Sequence, residues 1–270
     1  MSFYTSLNGL KNAQTDLSVL SHNIANAETV GFKKSTVAFA DIVAGSAFTK
    51  PKLIQGIGAT VEAINQNFKQ GPIEQTGAAL DVAINGDGFL TIKSSLNGDT
   101  LYTRNGALSV DGNGFIERGI GNRLQVFPTD AAGVVTGTTL IDAEIPATNA
   151  AGAQFAGVTI AKNGNVSVSF ADGTNEVVGK VALATFIAPG GLRQEGSSNW
   201  SATGISGSPA YGQPDAGFYG GLLSGAIERS NVDIAEELVG LITAQRNFQA
   251  NAKAIDTSTQ ITQTIIQLRS

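Results

Sequence analysis

Phe3, Leu10, Leu17 and Ile24 fall seven residues apart, and Leu7, Ala13, Leu20 and Ala27 fill a second row beside them. Two apolar rows at that spacing predict a helix over 3–27 with a seam of the coiled-coil kind, closed by Gly31. The pattern returns over 233–268, where Ile234, Leu238, Leu241, Phe248, Ala252, Ile255, Ile261, Ile265 and Leu268 step by threes, fours and sevens. Asp233 followed by Glu236 predicts an N-cap with a capping-box acid, and acids in the first turn suit the helix dipole. A helix of about 36 residues is ~54 Å long. That length exceeds the edge of a compact domain and calls for a long partner.

Between the ends the period changes to two. Val82-Ala83-Ile84, Phe89-Leu90-Thr91-Ile92, Leu101-Tyr102-Thr103, Phe115-Ile116-Glu117, Val158-Thr159-Ile160 and Val166-Ser167-Val168-Ser169-Phe170 alternate or run apolar, and Asn-Gly or Asp-Gly pairs punctuate them. Asn85-Gly86-Asp87-Gly88, Asn97-Gly98, Asn105-Gly106, Asp111-Gly112-Asn113-Gly114, Asn163-Gly164 and Asp172-Gly173 all carry hairpin chemistry. The expected class is α+β: long terminal helices (1–28 and 231–270) paired as a coiled-coil-like inner domain, plus a central all-β domain over 75–205. Residues 29–74 and 206–230, rich in Gly, Ser and Ala, read as extended connections, with strand content at Ala59–Ile64.

The polar faces of the helices carry few charges. Residues 1–27 hold only Lys11 and Asp16, and residues 257–268 hold none. Asn12, Gln14, Thr15, Ser18, Ser21, Asn23 and Asn26 occupy the first helix, and Thr, Ser, Gln and Asn fill the last. A freely solvated helix shows dense Lys and Glu, whereas amides and hydroxyls tolerate burial once hydrogen-bonded. One chain supplies one partner helix, so the remaining sides are expected to meet neighbouring copies. The candidate contacts are Leu10, Leu17, Ile24, Leu238, Leu241, Phe248 and Ile255 for helix packing, with Asn23, Asn26, Gln245 and Asn247 for amide contacts. The alternative is an intramolecular pair whose uncharged faces are simply wet. Before assembly such a pair has a thin core and is expected to be loose.

Composition narrows the chemistry. The formal charge is −5 with scattered Lys and Arg, which leaves no footprint for nucleic acid. There is no Cys, and His22 is the single His, so thiolate chemistry is excluded and histidine-based metal sites are disfavoured. No basic-then-apolar leader and no 18-residue apolar run is present, so neither a secretory signal nor membrane insertion is expected. Gly86-Asp87-Gly88 lies between strand-like runs and reads as a turn rather than a nucleotide loop. Asp111-Gly112-Asn113-Gly114 reads as a turn rather than a calcium loop. Lys33-Lys34 reads as a solvated hinge or an inter-subunit ion pair, Tyr102-Thr103-Arg104-Asn105-Gly106 as a hairpin with an exposed Arg or an interface contact, and Trp200 as a strand anchor. No catalytic constellation, cofactor or metal site emerges, and an enzyme is not expected.

Leu7-Asn8-Gly9-Leu10 through Leu20-Ser21-His22-Asn23-Ile24-Ala25-Asn26-Ala27, then Val30-Gly31-Phe32-Lys33 and Phe39-Ala40-Asp41, resemble the opening motifs of bacterial flagellar rod and hook proteins. Leu80-Asp81-Val82-Ala83-Ile84, Gly86-Asp87-Gly88-Phe89 and Tyr102-Thr103-Arg104-Asn105-Gly106 also resemble that family. So do Ser230-Asn231-Val232-Asp233-Ile234-Ala235-Glu236-Glu237-Leu238 and Ala244-Gln245-Arg246-Asn247-Phe248. The resemblance implies a structural protein of the flagellar axis, exported unprocessed by the flagellar export apparatus. It implies a homopolymer with other copies of itself, assembled with neighbouring axial, hook-cap or junction proteins. Residues 35–46 and the ending Ile266-Gln267-Leu268-Arg269 look most like the hook protein, so an extracellular hook subunit that bends while transmitting torque is the first expectation. A basal-body rod protein in the periplasm is the alternative, which the length of 270 residues suits. A secreted adhesin or binding module with a helical stalk comes last.

Overall fold

The computed structural model describes residues 2–44 and 55–269, and these form two compact units. The first unit takes residues 1–27, 34–67 and 232–270; the second takes 28–33 and 68–231. Gly45 and Ser46, which end the hook-like segment, lie outside the described residues. The class is α+β, with a helix at each end and strands between.

In the first unit, helix α1 (Ser2–Ala25) and helix α2 (Ile234–Arg269) follow the two periodic seams. They run antiparallel. Gly9 lies against Asn251, where a Cβ would come within 2.5 Å of Oδ1, and Gly240 lies against Leu20, where a Cβ would meet Cδ2 at 3.1 Å. The small residues Ala13 and Ala244 are buried, so close approach of the two backbones replaces interlocking of large side chains. Asp233 caps α2 as expected: its Oδ1 accepts from the N–H groups of Ala235 at 2.8 Å and Glu236 at 3.2 Å. α1 ends at Ala25 in a tightened turn, with Asn26 N–H bonding to Asn23 O at 3.0 Å. Gly31 lies beyond that stop and belongs to the second unit.

The same unit holds a long hairpin in the segment read as a connection. Strand β1 (Ser35–Ala44) pairs antiparallel with β2 (Gln55–Gln66), with irregularities at Ala38/Phe39 and Ile42/Val43. Strand structure thus extends well past Ala59–Ile64. The hairpin packs on α1, where Asn12 Nδ2 donates to Ala59 O at 2.8 Å and Thr5 Oγ1 to Ile57 O at 3.4 Å.

The second unit is all β. Its main sheet runs through strands Phe155–Ile160, Asn165–Phe170, Asn175–Val181, Asn122–Phe127, Phe89–Ser94, Thr100–Thr103, Asn199–Ser201 and Arg193–Gly196, in that spatial order. Alternation does the sorting: in Asn165–Phe170 every second residue, Val166, Val168 and Phe170, is buried. These join Ile84, Leu90, Ile92, Leu124, Val126, Val181, Leu183 and Leu222 in one apolar core. Phe89, Tyr102, Leu192 and Trp200 form a smaller aromatic core, with Trp200 holding strand Asn199–Ser201 in place.

Asn97-Gly98, Asn163-Gly164 and Asp172-Gly173 each close a hairpin between paired neighbours. Two of the expected hairpins do not form. Asn85-Gly86-Asp87-Gly88 joins strands that do not pair with one another, because Val82–Asn85 takes Gly221–Ser224 as its partner. Asn105-Gly106 likewise turns no hairpin. Gly106 O instead accepts from Val82 N–H at 3.0 Å, and a Cβ on Gly106 would sit 1.7 Å from Val82 O. Strands Ala210–Gly212, Gly221–Ser224 and Ala226–Glu228 fall inside 206–230, so that stretch too is built into sheets.

Candidate functional site

The surface of the first unit is unusual for what it leaves uncovered. Among the described residues, the only fully buried apolar side chains of this unit are Ala13 and Ala244. Leu10, Leu17, Ile24, Leu241, Phe248 and Ile255, all expected at helix contacts, are half-buried. Leu238 is 45% exposed, and Gln245 and Asn247 lie open to solvent. Asn26 is half-buried at the end of α1, where its Nδ2 donates to His22 O at 2.9 Å.

The antiparallel register explains the far end of α2. Ser2 comes level with about residue 258, so residues 259–269 overhang the start of α1 by ~16 Å. Ile261, Ile265, Ile266 and Leu268 are all exposed there. Threonine hydroxyls on this half of α2 bond their own helix: Thr257 to Lys253 O, Thr259 to Ile255 O, Thr262 to Ser258 O and Thr264 to Gln260 O, at 2.9–3.0 Å. Such a hydroxyl has its donor satisfied and loses little when a neighbour covers it.

Asn23 serves the chain itself. It is fully buried; its Nδ2 donates to Ser35 O at 2.8 Å and Glu237 Oε2 at 2.9 Å, and its Oδ1 accepts from Ser35 N–H at 3.0 Å. Glu237 in turn binds Lys34 Nζ at 2.7 Å, and Glu236 joins at 3.2 Å. Burial opposes the Lys34 charge, but hydrogen bonds to Glu237 and Glu236 outweigh it and hold its pKa above the ordinary lysine value. Burial, with the Glu237 charge adding, raises Asp16 above the usual carboxylate range. One amide and one ion pair thus tie α1, β1 and α2 together at one end of the unit. For Asn23, the expectation of contact with other copies leaves out the hairpin as a partner within the chain.

A second charged cluster lies inside the second unit and gathers motif residues far apart in sequence. Lys33 Nζ lies 2.5 Å from Glu228 Oε1 and donates to Lys69 O at 2.8 Å. Gly71 N–H reaches the same Glu228 oxygen at 2.9 Å, while Arg104 Nη1 lies 3.4 Å from Oε2 and bonds Gly86 O at 2.9 Å. Lys33, Arg104 and Glu228 are all buried, and burial depresses the pKa of both cations against the pull of Glu228. Gly31, at φ +68°, lets this segment pack on Asn105, whose N a Cβ would meet at 2.5 Å. Lys33 is therefore neither a solvated hinge nor an inter-subunit contact, and Arg104 is not exposed. Glu228, which organises the cluster, carried no sequence signal: a single acid three residues before Asn231 has no period or spacing to mark it.

Three family models match the chain: "Flagella basal body rod protein" over residues 3–33, "Flagellar hook protein FlgE/F/G D1 domain" over 83–168, and "Flagellar basal body rod FlgEFG protein C-terminal" over 223–268. The flagellar basal-body rod protein FlgG of Bacillus subtilis (strain 168) is 36% identical over 281 residues, covering 99% of this chain and 98% of the relative. FlgG of Caulobacter vibrioides is 34% identical, with 98% of each chain covered. The flagellar hook protein FlgE of Escherichia coli (strain K12) is 27% identical, and its alignment, covering all of both chains, stretches to 410 positions. The matched segments hold most of both terminal helices, the core strands between residues 83 and 168 and all three members of the Lys33–Arg104–Glu228 cluster, and the chain belongs to the flagellar rod and hook protein family.

Proposed function

We propose that the chain is a structural subunit of the flagellar basal-body rod, polymerising with further copies of itself and with neighbouring axial proteins after export by the flagellar apparatus. The single observation that carries assembly is the under-filled first unit: among the described residues only two alanines are fully buried, and the overhanging helix end, uncharged as far as Leu268, holds its isoleucines in solvent. Burying an isoleucine or leucine contributes about 1.5–3 kcal/mol, so such a surface favours association. Leu238, Gln245 and Asn247, together with the half-buried Leu10, Leu17, Ile24, Leu241, Phe248, Ile255 and Asn26, supply contacts to neighbouring copies; Asn23 keeps the unit itself intact.

Length supports rod over hook. Rod relatives match this chain end to end at 32–36% identity, whereas the hook relatives align only with long stretches unmatched. The hook-like features at 35–46 and 266–269 are short and weigh less than a match along the whole chain. Removing residues 259–270 is expected to abolish polymerisation while the β unit still unfolds cooperatively; normal polymers from that truncation would refute the role given to α2. Gold labelling of isolated hook–basal bodies decides the position, with label on the rod expected and label along the external hook counting against it.

A further inference from the structure

The chain crosses between its two units at four points: between residues 27 and 28, 33 and 34, 67 and 68, and 231 and 232. Each crossing falls at an end of one of three short segments of the second unit, 28–33, 68–72 and 228–231. Within that unit each segment is bonded to both of the others. Gly31 N–H donates to Glu228 O at 2.8 Å, Gly71 N–H to Glu228 Oε1 at 2.9 Å and Arg229 N–H to Pro72 O at 2.8 Å. Lys69 O accepts from Lys33 Nζ at 2.8 Å and from Asn231 Nδ2 at 3.0 Å. Segments 68–72 and 228–231 continue out of a two-stranded sheet, Ile73–Gln75 with Ala226–Glu228, which is not part of the main one.

A strained turn holds the first segment from the other side. Ser197 and Ser198 join strands Arg193–Gly196 and Asn199–Ser201 with φ of +52° and +56°. A two-residue hairpin turn with both central residues left-handed favours Asn-Gly, since a Cβ makes that conformation costly. Serine at the second position brings what glycine lacks: Ser198 Oγ donates to Val30 O at 3.1 Å, with Ser198 buried. The sheet fixes the turn in turn, Thr103 Oγ1 donating to Ser198 O at 2.7 Å and Arg118 Nη2 to Ser197 O. Backbone strain kept at a clamp is a mark of function.

We infer that residues 28–33, 68–72 and 228–231 form one latch, fastened by Ser198 on one side and Glu228 on the other, which opens and closes in a single step while the main β core stays folded. Releasing one segment alone leaves buried polar groups of the other two without partners, whereas releasing all three lets water satisfy them. The bonds are therefore made and lost together. Opening also frees chain at every crossing: residues 28–33 alone span up to ~20 Å when extended. The latch thus goes beyond assembly as such. It sets how much slack separates the helices from the β core, and it does so in the single chain.

Native-state hydrogen exchange of the full-length monomer in low urea tests this. The amides of Gly31, Gly71 and Arg229 are expected to share one opening free energy and one urea slope, both smaller than those of strand Asn122–Phe127. Ser198→Gly removes the hydroxyl at a position whose backbone suits glycine, and it touches only Val30 among the three segments. It is expected to speed exchange at all three amides by one common factor, about fivefold for a lost hydrogen bond. Separate slopes for the three amides, or a shared slope equal to that of the core strand, overturn the latch in the unmodified chain without any variant. Faster exchange at Gly31 alone overturns the single step, and unchanged exchange overturns the role of Ser198. Since the monomer is measured, none of these outcomes bears on the rod reading, which fails separately if the chain does not polymerise.

Discussion

The two units of this chain solve the problem of burial in opposite ways. The β unit closes around Ile92, Leu124, Val126, Val166 and Leu183, all essentially inaccessible, and a layer of aromatic rings backs them. Among the described residues the helical unit fully buries two apolar side chains, both alanine, and it is pinned at one end by Asn23, Ser35, Lys34 and Glu237. A fully packed apolar core gives a unit stability of its own. A polar clamp fixes geometry but adds little, since a buried ion pair gives back in desolvation much of what it gains. One unit is a finished object; the other is a component.

The largest expected consequence is in hydrogen exchange. Amides of strands Phe89–Ser94 and Asn122–Phe127 should exchange about a thousandfold or more slowly than those of α2 beyond residue 258 in the monomer, and the gap should narrow on polymerisation. Equal rates in the monomer would erase the distinction drawn above.

Next in size is the contrast between the two buried glutamates. Glu228→Ala strands Lys33 and Arg104 in the β unit and is expected to cost about 3–5 kcal/mol in urea unfolding. Glu237→Ala leaves Lys34 with Glu236 and some solvent, and is expected to cost about 2 kcal/mol, seen only in exchange of the helical unit. Comparable losses in both units would show that the clamp is not local.

Removing the α2 cap with Asp233→Ala should cost about 1 kcal/mol, measured as faster exchange in the first turn of α2 and no shift in unfolding of the β unit. The finest distinction is in alkali, where neighbouring lysines should respond with opposite sign. The pKa of Lys34 is raised by folding, so its contribution is complete below the unfolded lysine value of 10.5 and is lost as pH climbs through the folded one. The pKa of Lys33 is lowered, so the folded chain releases that proton first and its contribution to stability rises as pH approaches 10.5. Urea midpoints between pH 9 and 11 for Lys33→Met and Lys34→Met, each against the unmodified chain, measure the two slopes; slopes of equal sign would contradict the assignment.

The helices were legible in the sequence because a seven-residue repeat and an Asp cap are local signals, and α1 and α2 follow them to within two residues. Hairpins were legible wherever both strands flank the turn, as at Asn97-Gly98 and Asn163-Gly164. They were misleading at Asn85–Gly88, where the first strand pairs with residues 221–224, more than 130 positions away. The β1–β2 hairpin reads as connection in the sequence because its Gly- and Ala-rich strands alternate weakly. Of the candidate contacts, the apolar rows were visible as a stripe, but whether Asn23 faced inward or outward depended on a hairpin that periodicity did not show. The buried charges were opaque for the same reason, since nothing near Lys33 or Arg104 indicates that Glu228 answers them.

The threonines along the end of α2 have a mechanical consequence. With each hydroxyl proton held by its own helix four residues back, those threonines keep only acceptor lone pairs for a neighbour and offer no donor of their own. Two such threonine surfaces pressed together have no hydroxyl-to-hydroxyl bond to break when they slide. A shaft made of them would take up twist as many small slips rather than as one fracture.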